Sequence, residues 1–489
     1  MEETRSNVSP NEETPLLNPS EPTRAPLPKL QIAIILLLQV CEPICSQSIY
    51  PYINELVGTL DVTGGDERKV GYFAGLIESL FFATEAITVF QWSRLSDRIG
   101  RKSVLLIGLL GLMLSMLFFG LSRTFLNLVI SRCLCGLLNG NIGVIKSVMG
   151  ELTDSTNRPD VYALMPPVWA FGATMGPLLG GTLARPADHF PTVFGAKFWG
   201  EFPYFLPCLA TSSFVLVVLV ITAVFFKETL LMRKKNLSES STFSESWLES
   251  SRGSHYSDSE VSLKSFLIFP IIIPIANYVA LAFLSISVNS LLPLFFHMPV
   301  EMGGLGLDPD AIGCIIGIYG TGTGVFQYLY FARLVRHFGT RRVFIMSMAT
   351  FVPIFLIFPF VNLLARMQGS SYGTWTFVGL MLFLLFFTDT AYGCILMHVT
   401  ECVPDSSSLG AVNGLSQTVV SIARAVGPAL STSLYCFSIQ NDLIGGYGVY
   451  VILAFLSALA LFLAILLPQQ PRTTTETVGN VTVQCCPAN

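Results

Sequence analysis

Charge is what this sequence has least of. Of its 489 residues, 12% are Asp, Glu, Lys or Arg, whereas 52% are hydrophobic. Soluble domains average about 25% charged residues, so the chain carries roughly half the charge that keeps a soluble protein in water. The run 204–226 holds no charged residue, and about 20 helical residues suffice to cross a bilayer. Because such runs recur, we predict a polytopic membrane protein.

Other scarce features exclude further classes of function. The chain has five His, and metal sites usually need three or four ligands, so we expect no metal centre and no cofactor. The sequence has no Gly-x-x-x-x-Gly-Lys-Ser/Thr phosphate-binding loop, which favours an ion gradient as the energy source. We find no grouping of nucleophile, base and orienting residue that would indicate an enzyme. Alternating β-barrel strands are also lacking, which leaves an all-α membrane protein.

The apolar runs form two sets of six. We predict spans over 31–56, 70–91, 103–122, 125–149, 161–183, 203–226, 266–295, 311–331, 343–365, 376–399, 409–434 and 447–468. The Ser-rich segment between the sets cannot bury enough apolar surface to fold, so we predict a disordered linker. The predicted organisation is a disordered tail (1–29), a six-helix bundle (30–227), the linker (228–265), a second bundle (266–468) and a tail (469–489).

The two halves repeat each other. Residues 93–102 (SRLSDRIGRK) have a counterpart 239 residues later at 332–341 (ARLVRHFGTR). Residues 172–177 (GATMGP) match 423–428 (ARAVGP), 251 residues later. Parallel six-helix repeats are typical of carriers that alternate access between the two sides of a membrane.

Lys and Arg are unevenly distributed between the two sides. With the N-terminus inside, 19 of the 28 fall in cytoplasmic tails and loops, six on the other side and three within spans. Because cytoplasmic loops carry the excess of Lys and Arg, we expect both termini in the cytoplasm. The first 28 residues are polar, unlike a secretory signal peptide. They include Glu12, Leu16 and Leu17, a pattern like an acidic dileucine sorting signal, which leaves a vacuolar or endosomal membrane and the plasma membrane as alternatives.

Three motifs resemble those of the major facilitator superfamily, and within it the twelve-span drug:proton antiporters. Residues 93–102 resemble the loop 2–3 signature, with Ser in place of its first Gly. Residues 132–140 (RCLCGLLNG) resemble the span 4 signature, and residues 172–181 (GATMGPLLGG) resemble the antiporter signature of span 5. Segments 41–53 and 138–152 are similar to fungal relatives of the zinc-induced-facilitator-like transporters.

The resemblance implies twelve transmembrane helices in two pseudo-symmetric six-helix bundles. It further implies proton-coupled antiport of a small organic solute or drug by alternating access. The expected partners are the solute, protons and the lipid bilayer, with no nucleic acid, and the chain is expected to be monomeric. The alternatives are a solute sensor that transports little or nothing, and a facilitated uniporter.

The loop motif is predicted to form a cytoplasmic gate. Its members are Asp97, Arg98, Gly100, Arg101, Lys102, Glu151 and Asp154. We expect Asp97 to accept hydrogen bonds from the start of span 11, where the helix dipole is positive, and Arg101 to pair with Glu151 or Asp154. The alternative is that the basic residues only fix the topology. Arg336 stands at the Asp97 position in the second half, so the gate is expected to be asymmetric.

Charged side chains within spans are costly and mark functional positions. Those present are Glu42, Glu78, Glu85, Arg132, Lys146, Asp389 and Arg424, and all but Glu78 and Glu85 are selected as coupling or cavity residues. Glu42 is the first candidate to carry the coupling proton, unless it forms a structural pair with Arg132 or Lys146. Asp389 is either a coupling or an interfacial residue. Arg424 is expected to bind an anionic substrate group or to balance Glu42.

The antiporter motif supplies a stripe of small residues. We predict that Gly172, Gly176, Pro177, Gly180 and Gly181 form a hinge and a tight seam with span 8. Ordinary small-residue helix packing is the alternative.

Overall fold

The structure, a computed structural model, describes residues 27–153, 161, 164–229, 269–369, 371–401, 409–468, 476–478 and 481–483. Four of the predicted site residues, Glu12, Leu16, Leu17 and Asp154, lie outside these ranges. So does the predicted linker from residue 230 to residue 265.

The first half of the chain is helical. Its helices are α1 (Lys29–Ser48), α2 (Ile53–Gly58), α3 (Val70–Ile99), α4 (Arg101–Gly120), α5 (Phe125–Leu138), α6 (Asn141–Leu152), α7 (Met165–Thr182), α8 (Pro186–His189), α9 (Lys197–Glu201) and α10 (Phe205–Phe225). Short 3₁₀ turns at Asp61–Thr63 and Glu67–Lys69 lead into α3.

The second half repeats this plan. Its helices are α11 (Phe269–His297), α12 (Pro309–Phe326), α13 (Ala332–Phe338), α14 (Thr340–Ala349), α15 (Phe351–Gln368), α16 (Tyr372–Glu401), α17 (Leu409–Gln440) and α18 (Gly448–Ile465). A π-helical turn, Gln327–Phe331, joins α12 to α13, and a 3₁₀ turn, Val300–Met302, precedes α12. The tail adds two short antiparallel strands, β1 (Glu476–Val478) and β2 (Val481–Val483).

Eleven helices in the described ranges are long and apolar enough to cross a membrane, one fewer than the twelve predicted. The fifth predicted span is α7, which is a helix of 18 residues. Its many Gly and Pro residues lower its hydropathy, which explains the difference. The chain is therefore a multi-pass membrane protein, and its described ranges are built from helices apart from the small hairpin in its tail.

Three predicted spans are interrupted, and the ninth, predicted over 343–365, is divided by a turn at Thr350 between α14 and α15. The first, predicted over 31–56, ends at Ser48, and a separate helix begins at Ile53. The fourth, predicted over 125–149, breaks between α5 and α6, where the Trp92 indole donates to the Leu137 carbonyl at 2.7 Å. A Cβ atom at Gly140 would lie 2.2 Å from the Trp92 ring. The break therefore makes room for a side chain from α3.

The two halves meet mainly through two helix pairs, α3 with α17 and α7 with α12. We call the end of the bundle that carries residues 93–102 and 332–342 the signature end, and the other the opposite end. Hydrogen bonds toward the opposite end join the halves. They include Arg185 to Asp308, Tyr72 to Gln440, Ser290 to Glu78 and the Ala429 amide to Ser79. At the signature end, Asp97, Arg98, Arg333 and Arg336 are exposed.

Candidate functional site

The start of α4 is capped by a carboxylate that follows α10, the last helix of the first half. Glu228 accepts hydrogen bonds from the backbone N–H groups of Arg101 (2.9 Å) and Lys102 (3.0 Å). These amides have no partner within the helix, and the helix dipole favours a negative charge there. Gly100 makes the turn with φ +101°, a conformation that L side chains resist. The loop motif is thus a tight connection between α3 and α4 that is tied to the end of α10.

Arg101 is the centre of the signature-end cluster. Its guanidinium lies 2.6 Å from Asp97 and 3.0 Å from Glu151, and it also donates to the Ser96 hydroxyl. The Arg101 side chain is 3% exposed and that of Glu151 is 10% exposed, whereas Asp97 is 54% exposed. The second Glu151 oxygen accepts from Thr229 at 2.6 Å. Arg101 therefore joins α3, α4 and α6 within the first half.

The signature-end cluster changes two sequence expectations. Glu228 and Thr229, predicted to begin a disordered linker, are hydrogen-bonded to the cluster, and Thr229 is buried. Asp97, expected to bind the start of span 11, lies against Arg101 of its own half. Residues 402–408, which precede α17, lie outside the described ranges.

A second group of charges lies between the halves. Glu42 of α1 interacts electrostatically with Arg424 of α17 and with Lys146 of α6. Glu85 of α3 interacts with all three and accepts a hydrogen bond from Asn139 at 3.3 Å. Two acidic and two basic side chains from four helices therefore form one cluster, which we call the central cluster.

The central cluster lies where the two halves face each other. Lys146 is exposed, and Glu42, Glu85 and Arg424 are half-buried. Because Lys146 and Glu42 belong to the first half and Arg424 to the second, their mutual interaction places them where the halves face each other. Aromatic side chains lie beside the cluster on the second-half side: the Arg424 guanidinium lies 5.9 Å from the centroid of the Tyr392 ring, and this ring packs edge-on against Tyr278.

Asp389 lies in the second half, on α16. Its carboxylate accepts a hydrogen bond from Tyr319 of α12 at 2.8 Å. The Tyr319 ring stacks on Phe386 with 7° between the planes. The structure thus gives Asp389 a partner inside the helix bundle, whereas the sequence left an interfacial position open.

Arg132 is the most deeply buried of the predicted charges, at 2% exposure. Its guanidinium lies over the ring of Phe81, 4.7 Å from the centroid, and its Nε and Nη1 have no hydrogen-bond partner within the described residues. The charge of Arg132 acts on the carboxyl group of Glu78 and not on that of Glu42. The suggested pair between Glu42 and Arg132 is therefore not formed.

The glycine stripe of α7 faces two neighbours. A Cβ atom at Gly172, Gly176 or Gly180 would collide with α1, in the last case 1.8 Å from the Ser48 carbonyl oxygen. Gly181 instead faces α12, where a Cβ would lie 2.4 Å from the Pro309 carbonyl oxygen. The carbonyl of Pro177 lies close to Gly313. The predicted seam with span 8 thus involves Pro177 and Gly181 of the stripe, whereas the other three glycines pack α7 on α1.

A further ionic group lies at the opposite end. Arg185 is 3.2 Å from Glu55 and 3.1 Å from Asp308, which precedes α12 in the second half. Burial raises the pKa of Glu55, against the attraction of Arg185. The acidic partners raise the pKa of Arg185 although burial opposes them. This group joins the halves. In the sequence, Arg185 was only one of the basic residues counted to predict the topology.

Several residues of these groups had no recognisable sequence signal. Glu228 is an acidic residue just past the end of a span, and Ser290 and Thr229 are ordinary polar residues. Glu78 and Glu85 were visible as charges within a span. Their spacing of seven residues on one helix puts them on the same face, which was the available signal.

Comparison with known proteins agrees with this architecture. The chain matches the family model described as Major Facilitator Superfamily over residues 35–303 and 278–483. It is 32% identical to the major facilitator-type transporter psiT2 of Psilocybe cyanescens over 460 residues, covering 86% of this chain and 87% of that protein. It is 28% identical to the multidrug transporter mfsB of Aspergillus fumigatus, covering 85% of this chain and 79% of that protein.

A plant protein and a solved structure extend the comparison. Zinc Induced Facilitator 1 of Arabidopsis thaliana is 26% identical, with 84% of this chain and 85% of that protein covered. The crystal structure of a D-xylose–proton symporter superposes with a TM-score of 0.67 at 14% identity, covering 92% of this chain and 99% of that chain. The resemblance of the three motifs to the superfamily is confirmed, as is that of segments 41–53 and 138–152 to fungal and zinc-induced-facilitator relatives.

Proposed function

Because this chain belongs to the Major Facilitator Superfamily, and is thus a transporter and not an enzyme, we propose that it exchanges a small organic solute for protons by alternating access. The signature end faces the cytoplasm in this proposal, in keeping with the excess of Lys and Arg at that end. The bundles 30–227 and 266–468 are the units that move, and the monomer is the working form. The membrane is the vacuolar or endosomal membrane or the plasma membrane.

The central cluster is the observation that carries the proposal. Charges within membrane spans are costly and mark ion or substrate pathways. Here Glu42 and Lys146 of one half act on Arg424 of the other, so a change in the charge of Glu42 changes the attraction between the halves. A proton that binds to Glu42 removes its attraction for Arg424 and leaves that cation free for an anionic group of the solute.

The composition of the cluster limits the kind of solute. Two acidic and two basic groups balance, and Tyr392 and Tyr278 provide flat apolar surface beside Arg424. Such a site suits a neutral or zwitterionic aromatic molecule better than a strongly charged one. The similarity to a protein named as a multidrug transporter supports an organic solute.

The gate in this proposal is the signature-end cluster. Arg101, Glu151 and Glu228 fix the short connection between α3 and α4, and Asp97 lies at its exposed surface. Arg98 and Lys102 contribute positive charge on the cytoplasmic side. The α7 glycines let α7 shift against α1 without a bulky side chain between them.

Purified protein in liposomes tests the proposal. An imposed pH gradient is expected to drive accumulation of at least one dye from a panel of cationic, zwitterionic and neutral aromatic dyes, and the dye is expected to move protons in return. Glu42→Gln is expected to abolish the dependence on the pH gradient, while Glu67→Gln, an exposed residue before α3, keeps it. Dye flux that ignores the pH gradient would instead identify a uniporter. Dye binding without flux would identify a sensor.

A further inference from the structure

A buried carboxyl group outside the central cluster joins the two halves. Glu78 of α3 is 6% exposed. One of its oxygens accepts a hydrogen bond from the Tyr50 hydroxyl, which follows α1, and the other lies 2.7 Å from Ser290 Oγ of α11 in the second half. Glu78 is therefore a direct polar contact between the halves within the membrane-spanning region.

Burial gives the protonation state that fits this contact. Tyr50 donates to one oxygen of Glu78, and Ser290 Oγ lies at the other, where it is also 2.9 Å from the Ile286 carbonyl of its own helix. Neither contact brings a positive charge to the carboxyl group, and burial of an unpaired carboxylate is costly. The contact therefore favours the neutral form, in which Glu78 donates to Ser290, Ser290 donates to Ile286, and Tyr50 donates to the remaining oxygen.

Arg132 provides the alternative partner. Its buried guanidinium has two nitrogens without an acceptor in the described ranges, and its charge acts on Glu78. The other titratable group that faces Glu78 is Tyr50. The helix packed against this part of α3 from the second half, α17, presents Thr432 and Cys436 to it, neither of which is charged.

We infer that Glu78 is a proton-operated latch: with a proton bound it holds Ser290 and keeps the opposite end closed, and without the proton it turns to Arg132 and releases the second half. The proton adds to a carboxylate oxygen and leaves from the same atom, so no other reactant is needed. The latch contact itself stands on the geometry, whereas its part in coupling rests on the proposed proton antiport.

A small cavity offers the proton a path to this site. Tyr50, Glu78, Ser290 and Asn54 line a space of about 10 Å³, which is room for about one water molecule. Asn54 is 1% exposed, and its Nδ2 has no acceptor among the described residues. A water molecule there accepts from Asn54 and donates toward Glu78, and Asn54 lies in α2 at the opposite end. The proton therefore enters from the opposite side of the membrane.

The chain carries a natural reporter for this latch. Cys436 of α17 is 1% exposed and packs against Gly71 of α3, where the halves meet at the opposite end. Separation of the halves exposes its thiol, whereas Cys208, buried within the first half, stays protected as long as the protein is folded. Labelling by a water-soluble maleimide, located by mass spectrometry, therefore measures opening at one site and unfolding at the other.

The test compares wild type with Glu78→Gln in liposomes without substrate, between pH 5.5 and 8.5. A glutamine donates to Ser290 and accepts from Tyr50 at every pH. The ratio of Cys436 labelling in wild type to that in E78Q is expected to rise with pH, by up to about tenfold per pH unit for one linked proton. Taking the ratio at each pH removes the intrinsic reactivity of the thiol. Glu67→Gln is expected to follow wild type.

A ratio that stays constant over this range overturns the latch. If E78Q exposes Cys208 and is thus misfolded, Ser290→Ala is tested instead. This variant lacks the acceptor for protonated Glu78, so its Cys436 is expected to be labelled faster than that of wild type at low pH. Identical labelling of the two proteins contradicts the inference. The transport assay judges the proposed function separately. If solute is exchanged for protons but the labelling ratio stays constant, the latch is wrong and the antiport stands. If labelling depends on pH but no proton exchange occurs, the antiport is wrong and the latch stands.

Discussion

The guanidinium of Arg101 lies 3.0 Å from the carboxylate of Glu151, a residue fifty positions further along the chain. The pair is almost completely buried, and Asp97, Ser96 and Thr229 complete its hydrogen bonds. A buried pair adds little over an apolar replacement, but loss of one partner leaves an uncompensated charge. The pair is therefore sensitive to single substitutions.

Arg101→Ala is expected to destabilise the protein by about 3–5 kcal/mol, because Glu151 is left buried without its cation. Thermal unfolding of the purified protein measures the effect. Arg101→Lys is expected to recover only part of the loss, since an ammonium group cannot bind both carboxylates as a planar guanidinium does. The matched control is Arg98→Ala, an exposed residue of the same loop, which should change stability by less than about 0.5 kcal/mol. Equal effects of the two substitutions would show that the buried pair has no special role.

Glu228→Ala is expected to cost about 1 kcal/mol, the usual worth of a helix cap, because the amides of Arg101 and Lys102 lose their acceptor. Lys227→Ala, with its side chain exposed next to it, is the control. Hydrogen exchange at the start of α4 localises the change. Unchanged protection of these two amides in E228A would disprove the cap.

Gly180→Ala is expected to separate α7 from α1, since its Cβ would lie 1.8 Å from a backbone oxygen of Ser48 that cannot rotate away. The measured result is a loss of monodisperse protein on gel filtration. Gly200→Ala adds the same methyl group where no atom lies within 4 Å and should behave as wild type. Normal yield and elution of G180A would rule out the close approach of these helices.

The opposite-end group of Arg185, Glu55 and Asp308 predicts a pH dependence. Because burial raises the pKa of Glu55, the folded arrangement favours its protonated form. This stabilisation is complete below the ordinary pKa of a Glu and is lost as pH rises through the raised value. The melting temperature of wild type relative to Glu55→Gln is therefore expected to fall as pH increases from about 4 upward. Parallel curves for the two proteins would contradict the raised pKa of Glu55.

Asp308→Asn, at an exposed position, should lower the free energy of unfolding by less than about 1 kcal/mol.

Hydropathy predicted most of the helices because a membrane span needs a long uncharged run and little else. It missed the end of α1 at Ser48, since α2 continues the apolar run after a turn. It also missed the break before α6. That break depends on the packing of Trp92 of α3 against a glycine, and a contact between helices leaves no local sequence pattern. It placed the motif loops correctly because charged residues there interrupt apolar segments.

The site was predictable in its residues more than in its pairs. Arg101 and Glu151 lie at neighbouring ends of adjacent spans, so their meeting follows from topology. Whether Arg132 faces Glu42 or Phe81 depends on the rotation of α5 about its axis, which a count of charges cannot give. Contacts such as those of Glu78 with Ser290 and of Glu228 with the start of α4 join residues more than 100 positions apart, and no motif in the sequence links them.

Proton movement coupled to solute movement is the measurement that tests the proposed function most directly. Liposomes containing the purified protein and an internal pH-sensitive dye are exposed to each solute of the panel with no imposed gradient. Antiport predicts that at least one solute shifts the internal pH, that the shift reverses with the direction of the solute gradient, and that Glu42→Gln abolishes it. Solute flux of normal rate with no change in internal pH would contradict proton-coupled antiport.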